Sequence, residues 1–122
     1  NYGFIPHTLA DDGDPVDVLV VGKLPVIPGA VLRSRPIGML KMEDEAGMDE
    51  KILAVPITKL KPLYADVHEL DGLPPSLLEE IEHFFGQYKA LEPGKWAKVL
   101  GWGSREEAEA LILKSIQAGA GT

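Results

Sequence analysis

Apolar residues along this chain repeat with two different periods, and the change from one to the other divides it. From Asn1 to about Pro56, short β-rich runs, Val16 to Val21, Val31 to Met42 and Ile52 to Ile57, are separated by Gly, Pro and acidic turns. Asn1-Tyr2-Gly3-Phe4-Ile5 reads like the inside of a strand, so an upstream segment is expected to precede it. Pro36 and Gly38 interrupt the middle run, as happens where a strand bends at a barrel corner or lies at an edge, and Pro25 to Gly29 reads as a turn. This half predicts a barrel or strongly bent sheet.

After Pro74-Pro75 the period becomes helical. Leu77, Leu78, Ile81, Phe84, Phe85 and Tyr88 fall on one predicted face, while Glu79, Glu80 and Glu82 are assigned to water. Lys95 to Trp102 predicts another strand, with Trp96, Lys98 and Leu100 alternating with Ala97, Val99 and Gly101. Trp96 and Trp102 are expected to pack the core. A closing helix starts at Ser104, where Ser104 and Glu107 form a capping box; Ala108, Leu111, Ile112, Ser115 and Ile116 mark its buried stripe, and Gly119 to Thr122 should fray. No repeat or long linker interrupts the 122 residues, which fit one domain.

Composition narrows the range of functions. Twelve Lys and Arg against 19 Asp and Glu give a net charge of −7, which disfavours nucleic acid and anionic membranes as partners. A phosphate-rich ligand would have to arrive with cations. The absence of cysteine removes disulfides, thiolate metal sites and cysteine nucleophiles, and is compatible with a reducing cytosol. No apolar run reaches membrane-spanning length.

The acidic residues carry the candidate chemistry. Asp12, Asp14 and Asp17 crowd a turn at the start of an apolar strand, and two unit charges ~5 Å apart repel by roughly 3 kcal/mol at an effective dielectric of 20. A hard divalent cation relieves that repulsion. A solvated surface turn would explain a lone Asp-Gly, but three carboxylates, with Asp17 borne on the strand, tilt the balance toward metal; the spacing is not that of an EF-hand. A second acidic group, Glu43 to Glu50, taken alone is a solvated hairpin loop. Were it to meet the first in space, Asp44 and Asp49 would complete an all-oxygen site suited to Mg²⁺ or Mn²⁺ rather than Zn²⁺. Lys51 beside it either balances Glu50 or meets an anion held by the metals. Taken by themselves, Tyr88 and Lys89 read as a core tyrosine and a lysine favoured by the helix dipole, and Tyr2 is ambiguous. His7, His68 and His83 lack ligand spacing and are assigned to surface or packing roles. No nucleophile elbow, P-loop or dinucleotide fingerprint occurs.

Taken together, Asp12-Gly-Asp-Pro-Val-Asp17, the run from Leu40 through Asp44 and Asp49 to Lys51, His83-Phe-Phe-Gly-Gln-Tyr88-Lys89 and Gly94-Lys-Trp96 resemble the soluble family I inorganic pyrophosphatases from end to end. The resemblance implies a mainly β fold with flanking helices (α+β), an OB-like five-stranded barrel expected to be incomplete in this chain. Residues 1–122 would form a single pyrophosphatase domain, the C-terminal larger part of the family fold. It further implies Mg²⁺-dependent hydrolysis of diphosphate in the cytoplasm by a homo-oligomer, commonly a hexamer in bacteria. By the same resemblance Asp12, Asp17, Asp44 and Asp49 are metal ligands and Asp14 is the general base. Tyr2, Lys51, Tyr88 and Lys89 contact phosphate, with Lys95 more peripheral. Family members carry further strands, with a lysine, an arginine and glutamates, before the Asn-Tyr-Gly stretch. The alternative is a catalytically silent metal-binding or interaction domain. Single-strand nucleic-acid binding by an OB-like fold would require a basic groove, and the charge has the wrong sign.

Overall fold

The structure, a computed structural model, describes residues 1–22, 25–57 and 62–120. Among the described residues six strands form one sheet: β1 (Tyr2–Phe4), β2 (Asp17–Val20), β3 (Ser34–Asp44), β4 (Gly47–Met48), β5 (Lys51–Pro56) and β6 (Ala97–Gly103). Their order is β1-β2-β5-β3-β4, and β6 also pairs with β3. Pairings are antiparallel except β2 with β5, which is parallel and sets Asp17 beside Lys51 and Val18 beside Ile52. The predicted strand beginning at Val31 starts three residues later, at Ser34, and the acidic loop gains the short β4.

β3 is the spine of the sheet. At 11 residues it pairs with β4, β5 and β6, and the register shifts at Pro36/Gly38 and again at Lys41/Met42. Such irregularities bend a strand and increase its twist, so Pro36 and Gly38 act as the sequence anticipated. Gly38 has a second reason to be glycine: a Cβ there would fall 2.6 Å from Leu70, which belongs to a 3₁₀ turn, Leu70–Gly72. Arg35 secures the same region, its guanidinium donating to the carbonyls of Val67 and Tyr64.

Two helices cover the sheet. The first, α1 (Pro75–Gln87), begins with proline at its first position, where the missing N–H costs nothing. It packs Ile81 and Phe85 over Leu40 and Met42, and Leu77 and Leu78 over Ile37, Leu53 and Val55. The buried arc is rotated from the predicted one. At about 100° per residue, Leu78, Glu82 and Phe85 lie on one side of the Leu77–Ile81 line and Phe84 on the other. Phe84 is therefore 58% exposed, whereas Glu82, assigned to water, accepts a hydrogen bond from Trp102 Nε1. Tyr88 follows the last turn and is only half-buried. Trp96 is exposed rather than core; the period of two that turns Ala97 and Val99 inward turns Trp96 outward with Lys98 and Leu100.

The second helix, α2 (Arg105–Ala120), starts as predicted: Ser104 Oγ accepts the Glu107 N–H at 3.2 Å, and Glu107 also pairs with Lys41 at 2.6 Å. Lys41 and the Ser104 N–H hold the Glu107 carboxyl below its ordinary value. Ala108, Leu111 and Ile112 pack over Val16, Met39 and Ile52. Ile116 stays 43% exposed, because Ala108, Ser115 and Gly119 form the line of closest approach. Instead of fraying, Gly119 and Ala120 are helical, and Gly119 lies against the His7 backbone; the last two residues of the predicted frayed tail are outside the described set. No helix among the described residues is long and apolar enough to cross a membrane.

Candidate active site

Residues 5–16 form a loop stapled from inside. Thr8 is buried; its hydroxyl donates to the Ile5 carbonyl at 2.6 Å and accepts the Val16 N–H at 3.0 Å, while Ile5 N–H donates to Val16 O at 2.9 Å. At the tip, Asp12 accepts the Asp14 N–H at 3.0 Å, and Gly13 has φ 87°, a conformation few residues other than glycine adopt. Val16 then enters the core, so Asp17, the next residue, emerges on the opposite face of β2.

The second acidic segment forms a hairpin. Asp44 accepts the Ala46 N–H at 2.9 Å, Gly47 takes φ 121° at the turn, and the Asp49 N–H donates to Met42 O at 2.9 Å. Two residues later Lys51 opens β5. Register does the rest: parallel pairing of β2 with β5 puts Asp17 and Lys51 on adjacent positions, and antiparallel pairing of β1 with β2 brings Tyr2 near.

The two acidic segments converge on Lys51. Its ammonium, on a side chain only 5% exposed, lies 2.9 Å from Asp17 Oδ2, 2.9 Å from Asp49 Oδ2 and 2.8 Å from the Tyr2 hydroxyl. Asp12 joins Asp17 and Asp49 in lining a small hollow, together with Met48 and Glu50. A second cluster stands at the end of α1: Lys89 Nζ is 3.0 Å from Asp44 and 3.5 Å from Glu45. The clusters are close enough for charge to couple them, Lys51 lowering Asp44 and Asp44 raising Asp49.

Burial decides the protonation of Tyr2 and Asp49 in this centre. It pushes the Tyr2 phenol up to about 12 against the pull of Lys51, and it raises the Asp49 carboxyl despite the same ammonium. Burial also works against the Lys51 charge, but Tyr2, Asp17 and Asp49 outweigh it and hold that lysine above its ordinary value. Lys89 is held up chiefly by Asp44; in return, Lys89 and the Ala46 N–H keep Asp44 low although burial opposes them.

Tyr2, Asp12, Asp17, Asp49 and Lys51 fall within the first cluster and Asp44 and Lys89 within the second, where the Tyr88 ring centroid lies 5.6 Å from Lys89 Nζ. Asp14 is on the exposed tip beside Asp12, where its N–H donates to Asp12 and its carbonyl accepts from Ala10 at 2.8 Å. Lys95 is outside, ion-paired with Glu92 at 3.6 Å. His7, His68 and His83 are all exposed. Two further participants carry no signal of their own in the sequence. Glu45 adjoins Asp44 in sequence and shares Lys89; Phe85 precedes Tyr88 by one helical turn and contacts Tyr2, Tyr88 and Lys51.

The donor chemistry fits a hard divalent cation: the candidate ligands are all carboxylates, the class that suits Mg²⁺. Among the described residues no three acidic or imidazole groups close on one point, and Asp17 and Asp49 are instead bridged by the Lys51 ammonium.

Comparison with known proteins identifies the family and the fold. The family model described as inorganic pyrophosphatase matches residues 1–119. The chain is 61% identical to an inorganic pyrophosphatase of Pseudomonas aeruginosa and 59% identical to inorganic pyrophosphatase 1 of Pseudomonas syringae, in each case over 97% of this chain and 67% of the relative. Among solved structures, the inorganic pyrophosphatase of Helicobacter pylori superposes with a TM-score of 0.96 at 48% identity, over 98% of this chain and 71% of that one. That of Thermus thermophilus gives 0.92 at 42%, over 98% and 68%. The chain spans about two thirds of the length of the curated relatives it matches. The shared architecture is the expected OB-like one, mainly β with flanking helices. On sequence and fold alike, this chain belongs to the inorganic pyrophosphatases of soluble family I.

Proposed function

We propose that the protein hydrolyses inorganic diphosphate to two phosphates, with Mg²⁺ as cofactor and Mn²⁺ as a substitute. The observation that carries this reading is the Lys51 ammonium set among Asp17, Asp49 and Tyr2, with Lys89 on Asp44 close by. Carboxylates and ammonium groups are interleaved there, as a site must be to receive a polyanion accompanied by cations. Asp12, Asp17, Asp44 and Asp49 would hold the metal. When bound, Mg²⁺ neutralises the incoming charge and makes a coordinated water more acidic.

The chain's own groups divide the remaining work. Asp14, on the exposed tip, accepts the proton of the attacking water at its carboxylate. Lys51 and Lys89 donate to phosphate oxygens, and the Tyr2 and Tyr88 hydroxyls orient them. The Tyr2 phenol, pushed up to about 12, stays protonated at neutral pH and remains a donor. Positioning and charge stabilisation are the main demands of phosphoryl transfer. The resemblance also supports a cytoplasmic homo-oligomer, a hexamer in bacterial members. Exposed Leu113 and Ile116 on α2 are the type of surface an assembly covers.

Phosphate release from diphosphate, followed against Mg²⁺ concentration, tests the reading. Asp14→Asn is expected to lower kcat by about 10²- to 10⁴-fold, the usual contribution of a general base, and Asp17→Asn to raise the Mg²⁺ requirement. An unsubstituted protein that releases no phosphate at any Mg²⁺ concentration refutes it.

A further inference from the structure

One apolar side chain serves both halves of the site. Phe85, on α1, is 4% exposed and packs on Leu40 and Met42 of β3. Its ring centroid lies 5.8 Å from that of Tyr2 at an interplanar angle of 40°, and 5.6 Å from that of Tyr88, edge to face at 79°. Lys51 Nζ stands 5.5 Å from the same centroid. These separations are within the range of aromatic pairing and of attraction between a cation and a ring.

We propose that Phe85 is a positioning residue for the phosphate-holding groups: its ring sets the spacing between the Tyr2 hydroxyl and Lys51 ammonium on one side and Tyr88 on the other. This inference rests on diphosphate being the ligand. Phe85 has no polar atom and exchanges no proton. What it supplies is a flat, rigid spacer and a negative ring face toward Lys51, neither of which an aliphatic side chain of similar volume can offer. The location of the ring separates this role from general support of the helix. Leu78, on the same helix, packs instead with Ile37, Leu53, Val55 and Leu73, a cluster that contains none of the phosphate-holding groups.

The test compares Phe85→Leu and Leu78→Ala with the unsubstituted protein in steady-state diphosphate hydrolysis, in calorimetric titration with inorganic phosphate, and in thermal unfolding. Phe85→Leu is expected to raise KM and weaken phosphate binding by roughly three- to tenfold, with kcat changed by less than about twofold. Leu78→Ala should lower the melting temperature at least as much and leave KM and phosphate affinity unchanged. Should Phe85→Leu not fold, Phe85→Met, similar in volume but unbranched and more adaptable, gives the same readout. Unaltered KM and phosphate affinity in a folded ring-free variant overturn the proposal, as does an equal change in Leu78→Ala. If the unsubstituted protein hydrolyses no diphosphate, the functional reading fails, and the phosphate titration still decides the role of Phe85.

Discussion

Asp49 carries its charge under strain. Burial raises its carboxyl above the ordinary 3.8 even with Lys51 at 2.9 Å, so the folded chain binds that proton more tightly than the unfolded chain does. The consequence has a definite sign: below 3.8 both states are protonated and nothing is lost, and a destabilising contribution grows as the pH rises from there through the higher folded value. Asp49→Asn, studied without divalent cations, is therefore expected to raise the melting temperature by a few degrees at pH 7, while catalysis is lost. Below about pH 3 the gain should vanish. Thermal unfolding followed by circular dichroism at both pH values checks this, and a lower melting temperature at pH 7 would contradict the sign. At this scale the sequence was informative where chemistry was dense and silent where it was geometric. Asp12, Asp14 and Asp17 announce themselves by type and spacing, whereas Asp44, Asp49, Lys51 and Lys89 stand out only through the family resemblance. Glu82 and Phe85 do neither, because the helical period marks a face without telling which edge of it the sheet will cover.

The C-terminal half of α2 meets the base of the acidic loop through small residues, Ser115 and Gly119. A Cβ on Gly119 would lie 2.5 Å from the His7 carbonyl, at the base of the loop that bears Asp12 and Asp14, and the neighbouring Leu9 N–H donates to Ser115 O at 2.9 Å. Gly119→Ala is expected to cost about 1–3 kcal/mol in urea unfolding, since neither backbone can yield without moving the other. Gly86 in α1 gives the opposite expectation. The nearest atom to its added Cβ is Val99 at 3.9 Å, ordinary contact, so Gly86→Ala should stabilise by about 0.5–1 kcal/mol through helix propensity alone. The same contrast explains which elements were legible. Start signals such as Pro75 and the Ser104–Glu107 box act locally and were readable. The end of α2 depends on a partner more than 100 residues away, so Gly119 looked like a terminator until the fold put His7 beside it.

For the whole molecule, the net charge of −7 and the concentration of carboxylates at one mouth make divalent cations a stabilising ligand. Millimolar Mg²⁺ is expected to raise the melting temperature, by about 2.7 kcal/mol of added stability once the ion reaches a hundred times its dissociation constant, and Asp17→Asn should blunt the rise. NaCl at matched ionic strength separates binding from screening; an equal rise with NaCl would count against a specific site. Strand order was the least readable level of all. Nothing local in Asp17–Val20 or Lys51–Pro56 says that these strands lie side by side and parallel, although an aspartate opening one and a lysine opening the other are complementary once paired. That rung has one more implication. If β2 slipped by a single residue along β5, the alternation of its side chains would turn Asp17 into the apolar cluster around Val16 and present Val18 to the ammonium. A misthreaded molecule would forfeit its core and its catalyst together, leaving no well-folded but inert impostor close by in conformational space.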